Sequence, residues 1–434
     1  MIVTPMLDYE FISVEHAHQL NLLVKLVAPK GKAQERRGLN LCLVVDRSGS
    51  MSGVKLDYTK QAIKLLVTHL TNEDLLSIVT FESGVETVLE PTAVQNKDAI
   101  KQAVDRIESA GQTNLSGGWL KGIELVSSKA DGKRLNRLLI LTDGQANQGI
   151  TDADQLTALG ASAHQQHNLV TTTLGFGNDF NEDLLVGIAK HATGKFYYIE
   201  TPDSAPAVFR EELEGLLTLV AQNIELTITM QDPVRLMRQW TGYAAKQSGN
   251  TVTFNLGDAY ADEEKRLLLS LIVPNMGAIG ERILATLAVN YAEISEKSVT
   301  TKRLEFPIVV NLTDPATAAA AKLRIEVVEE LGLQMAAEAR KKAVERADDG
   351  DIAGASQLIR EAIDTLVAMP SGAQPAIQAE VEALKAESQK MREERHSSAS
   401  RKQMVSSSYS ISRSEYAKLV KERERRKNQP PAAP

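Results

Sequence analysis

From about residue 39 to 220, short apolar runs alternate with longer stretches of helical spacing. The apolar runs are Leu41–Val45, Leu75–Phe81, Arg137–Leu141, Leu169–Phe176 and Lys195–Ile199. Between them the spacing predicts helices near 54–70, 96–108, 115–129, 152–167, 181–191 and 203–220. Strands rich in Val, Leu and Ile, separated by helices, read as βαβ units around a mostly parallel sheet. Helices on both faces explain why these strands are apolar throughout instead of alternating.

The flanks have a different texture. Phe11–Val14 and Leu20–Val27 are strand-like, and Lys30 to Gly38 is a polar, Gly-containing linker. Ile224–Met230, Thr251–Asn255, Arg266–Val273, Ile283–Tyr291 and Leu304–Val310 are also strand-like, several of them alternating apolar and polar positions, which suits half-buried antiparallel strands. Unpaired strand edges are costly, so the two N-terminal strands are expected to join this later set in one β-sandwich. Beyond it, Asp314-Pro315 opens a helical region. Ile325, Val328, Leu331 and Met335 recur at helical spacing, Asp348–Asp351 makes a break, and two further helices carry Ile352 to Leu366 and Ile377, Val381 and Leu384. Three short amphipathic helices should pack as a small bundle. The expected boundaries are 1–38 (first sandwich strands), 39–221 (α/β domain), 222–312 (rest of the sandwich), 313–396 (helices) and 397–434 (tail).

Composition narrows the function classes. With 49 Lys plus Arg against 56 Asp plus Glu, the net charge is −7, which argues against a nucleic-acid-coating protein. The tail from Ser397 carries +6 of that balance, leaving −13 for the rest. Being basic, Ser-rich and Pro-terminated, the tail is expected to be disordered. Cys42 is the single cysteine, so no intramolecular disulfide and no Cys-based zinc cage can form. The N-terminus lacks a basic segment followed by an apolar core, and no stretch approaches about 18 uninterrupted apolar residues. The expectation is a soluble cytoplasmic protein without a membrane span.

The candidate chemistry follows the first apolar strand, in Asp46-Arg47-Ser48-Gly49-Ser50-Met51. A carboxylate and two hydroxyls at i, i+2 and i+4, on a turn leaving a strand, can converge on one point. In an open parallel sheet, ligands bind in the crevice outside the carboxyl ends of the strands. Thr113, in a loop entering a helix, and Asp143, after the strand ending Leu141-Thr142 and before Gly144, sit in equivalent places. Two carboxylates and three hydroxyls, all hard oxygen donors, select a hard divalent cation: Mg²⁺, with Mn²⁺ or Ca²⁺ as alternatives.

Asp46-x-Ser48-x-Ser50, Thr113 and Thr142-Asp143-Gly144, in that order on those elements, resemble the von Willebrand factor A domain with its metal-ion-dependent adhesion site. Gly175-Phe176-Gly177-Asn178, Asn181–Leu185 and Gly194–Tyr198 extend the resemblance to bacterial members and to inter-alpha-trypsin inhibitor heavy chains. It covers about residues 39–220 and implies a Rossmann-like α/β fold. It further implies that the Ser48, Ser50 and Thr113 hydroxyls bind the cation directly, with Asp46 and Asp143 acting mostly through water. Few carboxylates in direct contact leave the ion under-neutralised, with an open position for a partner's Asp or Glu. Only about 38 residues precede the domain, unlike the heavy chains, so their extracellular role is not carried over.

Other motifs have plainer readings. Gly175-x-Gly177 lacks the third glycine of a dinucleotide fingerprint and reads as a turn. His16 and His18 share a strand face without a third ligand, and His164 and His167 read as solvated. Ser48 and Ser50 lack the surroundings of a nucleophile, and the chain has no phosphate-binding Gly-x4-Gly-Lys-Ser/Thr loop. The expectation is a non-enzymatic, Mg²⁺-dependent adaptor that binds an acidic residue of a protein partner. The alternative is an accessory subunit of an AAA+ ATPase of the MoxR or metal-chelatase kind. A third reading has the basic tail, or Glu415, act on the site in cis.

Overall fold

The computed structural model describes residues 1–30, 37–144, 146–201, 204–294, 299–393, 397–413, 415–416 and 419–420. Its chain divides into two compact units. One comprises 31–219 with 294–298, and the other comprises 1–30, 220–293 and 299–434. Most of the Lys30–Gly38 linker and the end of the basic tail lie outside the described residues.

The first unit is a six-stranded sheet in the order β6-β5-β4-β7-β8-β9. Its strands are β4 (Leu39–Asp46), β5 (Leu75–Phe81), β6 (Val85–Ala93), β7 (Leu135–Thr142), β8 (Val170–Phe176) and β9 (Thr193–Ile199). All neighbours run parallel except β6, which pairs antiparallel with β5 at the edge. Every residue of β4, β7 and β8 is buried, as a sheet covered on both faces requires. The alternation along β4 sorts its side chains. Leu39, Leu41, Leu43 and Val45 share a core with α1 (Val54–His69), α2 (Lys97–Asp105) and α6 (Ala205–Leu217).

Cys42 and Val44 meet α3 (Leu115–Ser128) on the opposite face, which α4 (Ala153–His167) and α5 (Glu182–His191) also cover. The approach of α3 depends on Gly122, where a Cβ would lie 2.6 Å from Val44 Cγ2. The sequence reading did not include β6. Its half-exposed pattern lacks the continuous apolar run of the inner strands.

The second unit stacks two sheets. One has the order β1-β3-β14-β11 and the other β12-β13-β10-β15-β16-β2. From the N-terminus come β1 (Ile2–Leu7), β2 (Phe11–Ser13) and β3 (His18–Val27). After residue 218 follow β10 (Leu219–Met230), β11 (Arg235–Gln239), β12 (Ala244–Ser248), β13 (Thr251–Tyr260), β14 (Glu264–Val273), β15 (Gly280–Ile294) and β16 (Val299–Thr313). The N-terminal strands do complete the sandwich: β3 pairs antiparallel with β14 from His18↔Val273 to Val27↔Glu264, and β2 lies parallel to β16. The edge strand β1 contains Pro5, which removes a ladder donor and masks its pattern.

The helical region is larger than three short helices. It contains α7 (Pro315–Ala319), α8 (Ile325–Asp348), α9 (Ile352–Ala368), α10 (Pro375–Glu393) and α11 (Ser398–Ser412). The break falls where expected, with Gly350 at φ +87° and Asp351 capping α9. The prediction of a disordered tail from 397 is corrected for its first half. Residues 398–412 form α11, capped by Ser397, and bury Met404 and Ile411 in the helical core. Serines at close-packed positions suit a tight contact. Ser408 Oγ donates to Ala337 O at 2.8 Å, and Gln334 Nε2 donates to Ile411 O at 3.0 Å. The buried guanidinium of Arg340 joins α8 to Glu380 and Glu387 of α10, reaching Glu387 at 2.6 Å. No helix among the described residues is long and apolar enough to cross a membrane.

Candidate metal centre

The strand order reverses between β4 and β7, and the crevice beyond their carboxyl ends is the expected place for a ligand. Asp46 closes β4 and is fully buried. Its Oδ1 accepts from the Ser48 N–H at 2.8 Å, folding the turn back on the strand, and its Oδ2 accepts from Thr142 Oγ1 at the end of β7. A short 3-10 turn, Gly49–Met51, follows, pinned by buried Met51. Gly53 at φ +71° then turns the chain into α1.

Two more loops are stitched to this turn. Ala110 N donates to Arg47 O at 2.8 Å and Gly49 N to Gly111 O at 3.2 Å, which holds the loop bearing Thr113 against the Asp46–Ser50 turn. Thr113 N donates to Asn147 Oδ1 at 3.1 Å, and Asn147 N returns to Thr113 O at 3.3 Å. The Thr113 loop is thereby tied to the segment after β7.

The five residues singled out from sequence meet at one place. Ser48 Oγ lies 3.1 Å from Ser50 Oγ, and Ser50 Oγ donates to Asp143 Oδ1 at 2.7 Å. Thr113 reaches the cluster through Gly144: a Cβ built there would lie 2.8 Å from Thr113 Oγ1 and 3.4 Å from Asp46 Oδ2. Glycine at 144 leaves this space open, and a larger residue would push the Thr113 hydroxyl aside. Asp46, Asp143, Ser48 and Thr113 are all buried, while Ser50 is exposed.

Burial pushes the Asp46 carboxyl up to about 6, only partly opposed by hydrogen bonds from Ser48 and Thr142, and neighbouring Asp143 adds to the rise. Two buried carboxylates with converging hydroxyls form a donor set that suits a hard cation. No group of three or more His, Cys, Asp or Glu able to hold a metal occurs among the described residues, so any ion held here would depend on hydroxyl oxygens. Cys42 is buried, its thiol pushed up to about 12 by desolvation, which makes it a packing residue.

Three participants received no role from sequence, although Thr142 stands in the quoted Thr142-Asp143-Gly144 motif. Thr142 bridges Asp46 and the Gly144 N–H. The Lys55 ammonium pairs with Asp143 Oδ2, and Asp179 Oδ2 stands 3.8 Å from it. A signal for Lys55 existed. A cation in the first turn of a helix opposes the helix dipole, which favours it only where a nearby acid compensates.

Residues 40–211 match the family model of the von Willebrand factor type A domain. An uncharacterized protein of Synechocystis is 32% identical over 59% of this chain and 63% of its own length. The Escherichia coli protein YfbK is 30% identical over 61% of this chain and 47% of its own, and pig inter-alpha-trypsin inhibitor heavy chain H1 is 31% identical over 49% and 24%. The chain therefore spans less than two thirds of the length of these relatives.

Among solved structures, a von Willebrand factor type A protein from Catenulispora acidiphila superposes with a TM-score of 0.68 at 18% identity, covering 87% of this chain and 88% of that one. The ArnB paralog VWA2 from Sulfolobus acidocaldarius gives 0.62 at 16% identity, covering 96% and 98%. These two share the fold across both units. Residues 40–211 match the von Willebrand factor type A family model and share its fold, and in the sequence they lie between the strands of the β-sandwich unit.

Proposed function

We propose that Asp46, Ser48, Ser50, Thr113 and Asp143 hold a divalent cation, Mg²⁺, and that through it the domain captures an acidic side chain of a protein partner. The carrying observation is that Ser48, Ser50 and Asp143 are linked side chain to side chain, while Thr113 Oγ1 and Asp46 Oδ2 border the space at Gly144, where an added methyl would intrude. Domains of this family typically serve protein–protein interaction, which supports the same reading.

The division of labour follows from the hydrogen bonds. Asp46 is locked by Ser48 N and Thr142 and orients the turn, so the Ser48 and Ser50 hydroxyls are presented side by side. Asp143 fixes Ser50 from the opposite loop. Thr113 enters from the third loop, held by Asn147. A bound Mg²⁺ would supply a Lewis-acidic position for a carboxylate oxygen. The hydroxyl-rich donor set leaves its charge under-neutralised, and Ser50 at the exposed rim marks the open side.

The reading is tested with a random-peptide display selection on the immobilised chain in MgCl₂. Asp or Glu should be enriched at one position, with peptides released by EDTA and not retained by Asp46→Ala. Enrichment that persists in EDTA and on the variant overturns it. Titration calorimetry with MgCl₂ alone separates loss of the ion from loss of the peptide.

A further inference from the structure

Lys55 occupies an unusual place. It lies in the first turn of α1, where the dipole disfavours a cation, yet its side chain runs over Gly177 into the site. A Cβ built at Gly177 would lie 3.5 Å from Lys55 Cε and 3.6 Å from Nζ. The ammonium pairs with Asp143 Oδ2 while Asp143 Oδ1 accepts from Ser50, so both oxygens of that buried carboxylate are engaged. On the outer side, 3.8 Å from the same ammonium, stands Asp179, whose side chain is 73% exposed. The loop carrying Asp179 is fixed in turn, because Tyr198 OH donates to Asn178 Oδ1 at 2.8 Å.

We infer that Lys55 is a resident cation of the metal site, competing with the divalent ion for Asp143 and yielding to it by transferring its ion pair to Asp179. The inference rests on the metal-site reading above and adds what sets the site's affinity. With Lys55 on Asp143, the two site carboxylates present one net negative charge instead of two. A divalent ion entering that space meets a like charge a few ångströms away, at a distance where Coulomb energy in a partly buried site is substantial. Asp179 makes the displacement feasible, since it offers the ammonium a solvent-exposed carboxylate reached by a small side-chain swing along Gly177. Affinity is thus held low enough for the ion to exchange, and partner capture can respond to its supply.

The test is calorimetric titration of the full chain with MgCl₂, repeated with MnCl₂, paired with thermal unfolding in EDTA. Lys55→Met should bind Mg²⁺ at least about tenfold more tightly than wild type, because a like charge beside the ion is gone. In EDTA it should melt lower, because Asp143 has lost its counter-ion. Lys55→Arg, which keeps the charge, should stay within about threefold of wild type on the same electrostatic ground.

Asp179→Asn should weaken Mg²⁺ binding about threefold in the wild-type background and leave it unchanged in Lys55→Met, since the displaced ammonium is then absent. Equal or weaker Mg²⁺ binding by Lys55→Met overturns the inference, as does an equal effect of Asp179→Asn in both backgrounds. If neither wild type nor Lys55→Met binds either ion, the metal-site reading itself fails.

Discussion

Replacing Asp46 by asparagine isolates the cost of the buried carboxylate, because the side chain keeps its shape. The carbonyl oxygen of the new amide can still accept from Ser48 N, as the Asp46 carboxylate does at 2.8 Å. The amide nitrogen, however, faces Thr142 Oγ1, which in the parent donates to Asp46 and accepts from Gly144 N at 3.1 Å. The hydroxyl must turn its proton elsewhere, a loss of about 1 kcal/mol for one hydrogen bond. Against this stands the removal of a charge from a fully buried position. Raising a carboxyl from 3.8 to about 6 disfavours its ionised form by about 3 kcal/mol at pH above 6.

The sign follows from proton linkage. The folded protein holds this proton more tightly than the unfolded chain, so its contribution to stability falls as pH rises from about 4 to 6 and stays lowest above 6. In EDTA at pH 8, Asp46→Asn should therefore be about 2 kcal/mol more stable, a rise of about 4–8 °C in Tm for a domain of this size. The gain should shrink to nothing or reverse by pH 4.

The assay is fluorescence-monitored melting in a Trp240→Phe background, where Trp119, buried on α3, reports the metal-site unit alone. Added MgCl₂ should raise the Tm of the parent and not of the variant. A variant less stable than its parent at pH 8 in EDTA, or a difference that does not change between pH 4 and 8, refutes the reasoning.

Gly144→Ala should leave the fold intact while weakening Mg²⁺ binding by about tenfold or more in calorimetry, because its methyl would sit 2.8 Å from the Thr113 hydroxyl and force it away. Arg340→Ala should destabilise the sandwich-and-helix unit by about 3–5 kcal/mol in urea unfolding, since it removes the buried guanidinium that pairs with both Glu380 and Glu387. Replacing all three by Met or Leu should restore most of that loss. Met404→Ala should cost about 2–4 kcal/mol by the same measurement, read through Trp240, because Met404 is fully buried between α11 and its neighbours. A disordered segment at 398–412 would show no such effect.

Much of the architecture is written in periodicity. The apolar runs of β4, β5, β7, β8 and β9 are visible because inner parallel strands are buried on both faces and need no alternation. Asp46, Ser48, Ser50, Thr113 and Asp143 are legible because each stands at a strand end or helix entry that faces the same crevice. Tertiary structure alone decided the rest. The edge strands β1 and β6 carry half-exposed or proline-broken patterns, so their pairing depends on neighbours. Helix α11 hides in a basic, serine-rich composition, since what fixes it is the fit of small side chains against α8 and two apolar anchors. Lys55 and Asp179 lie far apart in the chain, and only the turn at Gly177 brings an ammonium and two carboxylates to one point. Local pattern specifies which face of an element is buried, whereas the balance of charge at a site depends on groups that only the folded backbone makes neighbours.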